Sequence, residues 1–295
     1  MKKIIFKGAG VALVTPMNKD GSVNYDVLEK LIKFQIDNGT DAIISCGTTG
    51  ESATLSEEEH NKVIAFTVEK VAGRIPVIAG TGSNNTETAL RHSIEAEKLG
   101  VDGLLIVTPY YNKTSQRGLI EHYTYIADRV NIPIILYNVP SRTGVNIKPE
   151  TYLELSKHPN ICAAKEASGD ISAVAKIRAL CGDNLAIYSG NDDQIVPMLS
   201  LGALGVISVF SNICPRECHN MIKEFFSGNA ELSSKMQIRY LDLMNAMFCD
   251  VNPTPVKAAL NMMGFDCGDC RMPLYKLSDE NYRNLQSIMK KHSII

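Results

Sequence analysis

Eight short apolar runs recur along the chain up to residue 209, and they limit the folds that the sequence can adopt. The runs span residues 10–16, 41–47, 75–82, 101–110, 132–140, 161–167, 185–190 and 204–209. None of them alternates apolar with polar residues, so both faces of each strand should be buried, as in a parallel sheet. Eight strands with helical stretches between them predict an α/β fold of the (β/α)8 TIM-barrel type. The alternative is a doubly wound open sheet, which usually has fewer strands, and no G-x-G-x-x-G motif follows the first run.

The stretches between the runs carry helix signals. Residues 27–39 have apolar residues three and four positions apart and end on Asn-Gly. Residues 56–73 begin with Ser56 and have Glu59 three positions later, which is the pattern of a capping box. These signals predict helices that cover the outside of the barrel.

The strand signal stops after residue 228. Three further stretches, at residues 229–248, 254–264 and 278–291, predict helices that pack onto the barrel. We therefore predict a barrel domain over residues 1–228 and a C-terminal three-helix region over residues 229–295. No low-complexity linker separates the two parts.

Composition and charge narrow the possible partners. The 295 residues are 45% hydrophobic and 21% charged, and the net charge of -2 leaves no basic stripe for nucleic acid. No apolar run is long enough to span a bilayer, so no membrane partner is expected. The N-terminal stretch MKKIIFKGAG is too poor in apolar residues for a secretory signal, and a cytoplasmic location is expected. The expected partners are small molecules and further copies of the chain.

The eight cysteines are irregularly spaced in a long chain, which suits reduced thiols better than a disulfide framework. Cys267 and Cys270 form a C-x-x-C pair, and Cys214 and Cys218 lie four positions apart. Together the two pairs could make a four-thiolate zinc site. The second spacing is uncommon for zinc and about fifty residues separate the pairs, so free thiols are the preferred interpretation.

In a barrel of this type the chemistry takes place where the strands end and the following loops begin. The residues at those ends are Thr15, Pro16, Gly47, Thr48, Thr49, Gly80, Thr81, Gly82, Pro109, Tyr110, Tyr111, Tyr137, Asn138, Pro140, Lys165, Glu166, Ser189, Gly190 and Ser208. Hydroxyl groups and glycines dominate this set. It contains no histidine and no cluster of carboxylates, so we predict no metal site of the usual kinds.

Lys165 stands directly after the apolar residues of the sixth run. A lysine in the barrel mouth loses hydration, which disfavours its ammonium form, and the neutral amine can attack a ketone to form a Schiff base. Tyr137 ends the neighbouring run, and a phenol one strand away could reach the amine and move protons to and from a carbinolamine. The alternatives are a buried ion pair between Lys165 and Glu166 or another carboxylate, and a tyrosine that serves only for packing.

Thr48 and Thr49 are adjacent between Gly47 and Gly50, where the second run ends. Glycine and threonine are common turn residues, so the doublet could simply make a turn. It could also make a site for a small anion, since glycine allows the backbone to approach a ligand closely. Both interpretations stay open on these residues alone.

Three motifs together carry a resemblance to a known family. GTTGES (47–52), YNVPSRTG (137–144) and AAKEASGD (163–170) resemble the signatures of the pyruvate-dependent class I aldolases of the dihydrodipicolinate synthase and N-acetylneuraminate lyase family. The resemblance covers essentially the whole chain, from GAGVALVTP to the C-terminal helices. It implies a (β/α)8 barrel, an enzyme that forms a Schiff base with pyruvate, and no metal or organic cofactor.

The resemblance also implies roles for individual residues at the pyruvate end of the site. Lys165 would form the Schiff base. The hydroxyl and backbone N–H groups of Thr48 and Thr49 would hold the carboxylate of pyruvate. Thr49 would also link Tyr137 to Tyr111, which reaches in from a neighbouring subunit, in a proton relay. This role for Tyr111 makes a dimer the minimal active unit, and the family is commonly a dimer of dimers.

Further implied residues hold the second substrate or complete the pocket. Arg142 would bind the carboxylate of L-aspartate 4-semialdehyde, because its planar guanidinium suits a carboxylate. Gly190 and Ile207 would line the pyruvate pocket through their backbone carbonyl groups. A sister aldolase, such as N-acetylneuraminate lyase or a 2-keto-3-deoxy sugar acid aldolase, would keep the lysine and tyrosine but differ around Thr49 and Arg142. A binding barrel without catalysis would have no reason to place a strand-end lysine beside a tyrosine.

Lysine-sensitive members of the family bind L-lysine at the dimer interface. The matching positions here are Ser52, Ala53, Glu57, His60, Asn84, Thr88 and Tyr110. Glu57 stands where a histidine is expected, and Thr88 stands where a glutamate would pair with the α-amino group of the effector. The resemblance therefore implies weak or absent inhibition by L-lysine.

Overall fold

The computed structural model describes residues 2–295, and within them eight parallel strands close into a barrel in sequence order. The strands are β1 (Gly8–Ala12), β2 (Ala42–Ser45), β3 (Val77–Gly80), β4 (Gly103–Val107), β5 (Ile134–Asn138), β6 (Ile161–Glu166), β7 (Ala186–Ser189) and β8 (Gly205–Ser208). β8 pairs with β1 and so closes the sheet. The (β/α)8 barrel predicted from the eight apolar runs is confirmed.

The first strand differs from its apolar run. β1 ends at Ala12, well before the end of the run at residues 10–16. Leu13 and Val14 stay buried beyond the strand, at 3% and 1% exposure. A buried loop gives the same apolar pattern as a buried strand, so the pattern alone places the strand end too late.

Twelve α-helices lie within residues 2–295. They are α1 (Tyr25–Asp37), α2 (Glu57–Val71), α3 (Thr86–Lys98), α4 (Gln116–Ala127), α5 (Pro140–Thr143), α6 (Pro149–Leu155), α7 (Ile171–Cys181), α8 (Ile195–Ser200), α9 (Pro215–Phe226), α10 (Ala230–Ala246), α11 (Thr254–Met262) and α12 (Asp279–Lys291). The predicted capping box of α2 is present, because Ser56 Oγ accepts from the Glu59 N–H and the Glu59 carboxylate accepts from the Ser56 N–H. Among the described residues no helix combines the length and the hydropathy that a membrane span requires.

Side chains that point into the barrel form their own apolar cluster. It consists of Phe6, Ala12, Ala42, Ile44, Ile78, Leu105, Ile135, Tyr137, Val139, Ala163, Tyr188 and Ile207. The other buried apolar side chains form one large cluster between the strands and the helices. Because side chains alternate along a strand, Lys165 points into the barrel with Ala163, whereas Glu166 points outward.

In the C-terminal region α12 packs on α10 and on α11, and α10 also packs on α9. Two ion pairs join this region to the mouth of the barrel. Lys257 Nζ lies 2.8 Å from Glu51 Oε1, and the Arg271 guanidinium binds the carboxylate of Glu59. The division of the chain at residue 228 stays a prediction, but the C-terminal region contacts the end of the barrel where active sites lie.

Candidate active site

Lys165 and Tyr137 lie side by side inside the barrel. They are register partners on β6 and β5, and the two residues are only 6% and 7% exposed. The Nζ atom of Lys165 lies 4.3 Å from the centroid of the Tyr137 ring. The pairing of β5 with β6 therefore brings together the amine and the phenol that the sequence suggests as partners.

Glu166, the chain neighbour of Lys165, points to the other face of β6. Its carboxylate accepts hydrogen bonds from Asn138 Nδ2 at 3.0 Å, Tyr152 Oη at 2.8 Å and the Ser168 backbone N–H at 2.8 Å. Burial raises the pKa of Glu166, and these donors oppose the rise. Within residues 2–295 no ion pair joins Lys165 to a carboxylate, so Lys165 is not the buried partner of Glu166.

Residues 47–50 form a tight turn at the end of β2. The Gly50 N–H donates to the Gly47 carbonyl at 3.0 Å, and the Thr15 hydroxyl donates to the Gly50 carbonyl at 2.7 Å. The backbone N–H groups of Thr48 and Thr49 have no acceptor among residues 2–295. Because adjacent free N–H groups in a turn can bind an anion, the doublet is both a turn and a candidate anion site.

Residues of the C-terminal region hold this turn, and no motif in the sequence marks them as part of the site. Glu51 follows the turn in the left-handed conformation, with a φ of 56°, and is 4% exposed. Its carboxylate accepts from Lys257 Nζ at 2.8 Å and from the Arg271 backbone N–H at 2.8 Å. The Arg271 guanidinium also lowers the pKa of Glu59 to about 2. One signal was available for Lys257, which is a charge at a buried position of the apolar pattern of α11.

Asn252, in the segment between α10 and α11, contacts two of the predicted site residues. Its Nδ2 donates to Thr49 Oγ1 at 3.0 Å, and its backbone carbonyl accepts from Arg142 Nη2 at 3.3 Å. The residue is 5% exposed. No motif marks Asn252, because its contact with Thr49 joins positions 203 residues apart in the chain.

Arg142 and Thr48 line one open cavity of about 440 Å³ at the carboxyl ends of the strands. Arg142 belongs to α5, which directly follows β5. Val139, Tyr110 and Gly80 also contribute to the wall. A volume of this size fits a small ligand, and the cavity offers both a cation and hydroxyl groups to bind one.

Gly190 and Ile207 lie at the ends of β7 and β8. A Cβ atom at position 190 would lie 2.5 Å from the Ala167 Cβ, so the site requires glycine. The Gly190 N–H donates to the Glu166 carbonyl at 2.8 Å. Ile207 is fully buried in the interior cluster that also contains Tyr137. Gly190 therefore lies against the residues at the end of β6, and Ile207 lies among the side chains that point into the barrel.

Asp192 holds the turn that follows β8. Its Oδ2 accepts from the backbone N–H groups of Val209 and Phe210 at 3.0 and 2.9 Å, and the residue is 3% exposed. Burial raises the pKa of this carboxyl group. These two contacts are with the backbone, so no sequence motif marks the role of Asp192.

Tyr111 is not brought to the other predicted residues within this chain. It is 90% exposed, on the loop between β4 and α4. Its φ of 69° is uncommon for a residue other than glycine. Among residues 2–295 the Tyr111 hydroxyl has no hydrogen bond to Thr49 or Tyr137.

Most positions predicted for an L-lysine site border the same cavity as Arg142. Those in its lining are Ser52, Ala53, His60, Thr88 and Tyr110. Glu57 is instead paired with Arg91 at 2.7 Å, and this guanidinium lowers the pKa of Glu57. The Asn84 carbonyl accepts from Asn112 Nδ2 at 2.9 Å. Glu57 is therefore already engaged in an exposed ion pair with Arg91 and is not among the residues that line the cavity.

The eight cysteines are free thiols. Burial raises the pKa of Cys267 to about 12 and that of Cys270 to about 11, so neither is a reactive thiolate. In the described part of the chain no three metal-binding side chains lie together. Cys214 and Cys218 therefore do not join Cys267 and Cys270 in a four-thiolate site.

A buried lysine beside a tyrosine at the strand ends of a (β/α)8 barrel suits the Schiff-base chemistry of a class I aldolase. The comparison with known proteins makes the assignment specific. The chain belongs to the dihydrodipicolinate synthetase family, whose model matches residues 5–292.

Relatives and solved structures resemble the chain over its whole length. The 4-hydroxy-tetrahydrodipicolinate synthase of Thermoanaerobacter sp. (strain X514) is 55% identical over 292 residues, which are 99% of this chain and 98% of the relative. The crystal structure of dihydrodipicolinate synthase from Aquifex aeolicus is 45% identical with a TM-score of 0.96, and the match covers 98% of this chain and 99% of that one. The chloride-inhibited dihydrodipicolinate synthase from Acinetobacter baumannii, complexed with pyruvate, is 41% identical with a TM-score of 0.97, and the match covers 99% and 100%.

Proposed function

We propose that the chain condenses pyruvate with L-aspartate 4-semialdehyde to give 4-hydroxy-tetrahydrodipicolinate, a step of diaminopimelate and lysine biosynthesis. The observation that carries the proposal is the buried Lys165 amine, which has no carboxylate partner within residues 2–295 and lies over the Tyr137 ring at 4.3 Å. An amine that is not committed to an ion pair is free to act as a nucleophile. The names of the relatives and the pyruvate complex of the Acinetobacter baumannii enzyme support the same substrate.

The first half of the reaction uses the amine and the phenol. The neutral Lys165 amine attacks the ketone carbon of pyruvate, and a carbinolamine forms. Tyr137 donates a proton to the departing hydroxyl group, which leaves as water, and an imine to Lys165 remains. The free N–H groups and hydroxyls of Thr48 and Thr49 hold the pyruvate carboxylate. The Tyr137 phenolate, formed when the hydroxyl group left, then takes up a proton from the methyl carbon, and the enamine forms.

The second half joins the two substrates. The enamine carbon attacks the aldehyde carbon of the semialdehyde, and the new oxygen takes up a proton. Arg142 holds the carboxylate of the semialdehyde through a charge-assisted hydrogen bond. The substrate amine then attacks the imine carbon, the ring closes, and Lys165 leaves as the free amine. All groups used in these steps belong to the chain or to the substrates.

We also propose that the active form is an oligomer, a dimer of dimers as in the family. Tyr111 is 90% exposed and cannot complete a relay with Thr49 from within its own chain as it stands. A partner subunit could place its own Tyr111 over this site and supply the missing hydroxyl. The relay from Tyr137 through Thr49 to Tyr111 then requires two chains.

The competing function is that of a sister aldolase that acts on a sugar acid. Arg142 at the cavity argues against it, because a polyhydroxylated aldehyde offers no carboxylate at that place. The test is to supply the protein with pyruvate and either L-aspartate 4-semialdehyde or N-acetylmannosamine, and to follow pyruvate consumption. We expect consumption with the semialdehyde only. Consumption with the sugar alone would overturn the proposal.

A further inference from the structure

Asn252 contacts the site through the hydroxyl group of Thr49. Its Nδ2 donates to Thr49 Oγ1 at 3.0 Å, and this is the one hydrogen bond that the hydroxyl makes within residues 2–295. A hydroxyl has one hydrogen to donate and two acceptor positions. Since Asn252 occupies an acceptor position, the hydrogen of Thr49 is directed away from the amide. It stays available for a bound substrate or for a neighbouring tyrosine.

The same residue also contacts the part of the site assigned to the second substrate. Its backbone carbonyl accepts from Arg142 Nη2 at 3.3 Å. Asn252 therefore touches one residue of the pyruvate half of the site and one residue of the semialdehyde half. It does so from the C-terminal region, outside the barrel strands.

The amide of Asn252 is not fully satisfied. The residue is 5% exposed, and its Oδ1 is buried without a hydrogen-bond partner among residues 2–295. Leaving a buried acceptor unpaired destabilises the fold, and such groups in native proteins commonly have a functional cause. A purely structural asparagine would be expected to use its oxygen as well as its nitrogen.

We propose that Asn252 is a positioning residue that sets the direction of the Thr49 hydroxyl and thereby the direction of proton transfer. This inference rests on the proposed function, in which Thr49 belongs to a relay. By donating to Thr49, the amide keeps the hydroxyl hydrogen on the side of the reacting groups. An acceptor at the same place would draw the hydrogen away and interrupt the relay.

The substitution Asn252→Asp tests this inference, because an ionised carboxylate of nearly the same shape can only accept. We expect the rate of formation of the borohydride-trappable pyruvate adduct, measured at saturating pyruvate, to fall by roughly tenfold or more. Asn252→Ala removes the donor without adding an acceptor, so the rate of adduct formation should fall by a smaller factor in this variant. The loss of adduct rate in Asn252→Asp should become smaller as the pH falls, because a protonated carboxyl group can donate a hydrogen bond to Thr49 Oγ1.

A double-mutant cycle separates positioning from a general structural role. In a Thr49→Val background the hydroxyl is absent, so adding Asn252→Asp should cause little further loss. Asn261→Asp is the matched control, since the Asn261 amide donates to the Gly268 carbonyl and accepts from the Cys267 N–H in the same region, and makes no hydrogen bond to a site residue within residues 2–295. It should leave the adduct rate unchanged.

Two outcomes would overturn the inference. One is a wild-type adduct rate in folded Asn252→Asp; the other is an equal loss from this change with and without the Thr49 hydroxyl. If Asn252→Asp does not fold, the rate of Asn252→Ala decides, and a wild-type rate there counts against the inference. If the unmodified protein traps no pyruvate, the proposed function itself is wrong. If it traps pyruvate but the Asn252 variants behave like it, only the inference about Asn252 is wrong.

Discussion

Lys165 and Tyr137 are held by two hydrogen-bonded strands, whereas Thr48 and Thr49 lie on a turn that a distant part of the chain holds. The first pair needs only the register of β5 with β6. The turn depends on Glu51, whose buried carboxylate is bound by Lys257 of α11. The covalent chemistry is thus assigned to the rigid sheet, and substrate binding and proton transfer depend on contacts between barrel and C-terminal region. The two parts should respond differently to mutation.

Of the substitutions that distinguish the two parts of the site, Lys257→Met is expected to have the largest effect. Both partners of the buried Lys257–Glu51 pair are almost inaccessible, so removal of the cation leaves an uncompensated carboxylate. Such a loss lowers the free energy of unfolding by about 3–5 kcal/mol. Urea denaturation at a fixed protein concentration measures it. Lys235→Met, which breaks an exposed pair with Glu231, is the control and should change little.

That substitution also tests which part of the site depends on the C-terminal region. If the variant still folds at low temperature, pyruvate affinity should fall because the turn at residues 47–50 loses its support. Adduct formation at saturating pyruvate should persist, since the β5–β6 pair is intact. Unchanged stability in Lys257→Met would contradict the assigned role of the pair.

The next largest effect is expected from Arg142→Ala. The lost contact is a charge-assisted hydrogen bond to the semialdehyde, worth roughly 1.5–3 kcal/mol, or about ten- to a hundredfold in kcat/KM for that substrate. Formation of the pyruvate adduct should be unaffected. Steady-state kinetics with each substrate varied in turn measures both. Weaker pyruvate binding with normal semialdehyde kinetics would show that Arg142 serves the other half of the site.

A smaller effect is expected from Tyr111→Phe, which removes one hydroxyl of the relay and should lower kcat. Mixed dimers of Tyr111→Phe chains with Lys165→Ala chains sharpen the test, because each such dimer contains one composite site with both groups intact. We expect activity to recover in the mixture above that of either variant. No recovery would mean that Tyr111 acts within its own chain.

The smallest effect is expected from L-lysine. Thr88 supplies a hydroxyl where a carboxylate would pair with the α-amino group of the effector, and Glu57 is already paired with Arg91 at 2.7 Å. We therefore expect weak or no inhibition in a dose–response of initial rate against L-lysine. Half-inhibition at a submillimolar concentration would disprove this expectation.

The residues held by paired strands could be predicted from the sequence, whereas the C-terminal residues that hold the turn could not. Lys165 and Tyr137 could be paired because strand periodicity and the barrel architecture place strand ends together. The capping box at Ser56 and Glu59 could be predicted because it involves only local contacts. Asn252 could not be predicted, since its contact with Thr49 crosses 203 residues and no local pattern encodes it.

Two further features could not be predicted from the residues alone, and each has a physical cause. The end of β1 is obscured by Leu13 and Val14, which are buried in a loop rather than in a strand. Tyr111 could be assigned to the site only through the family resemblance, because its side chain is exposed and its proposed partners lie in another subunit. Periodicity reports burial within one chain, and neither loop packing nor subunit contacts follow from it.

We propose that Lys165 is the nucleophile that binds pyruvate covalently. The direct measurement is borohydride reduction in the presence of pyruvate, followed by mass spectrometry of the modified peptide. We predict that the adduct maps to Lys165, and that Lys165→Ala and Lys165→Arg trap none while both keep the fold, since a protonated guanidinium is no nucleophile. Covalent trapping of pyruvate on the Lys165→Ala variant would contradict the claim.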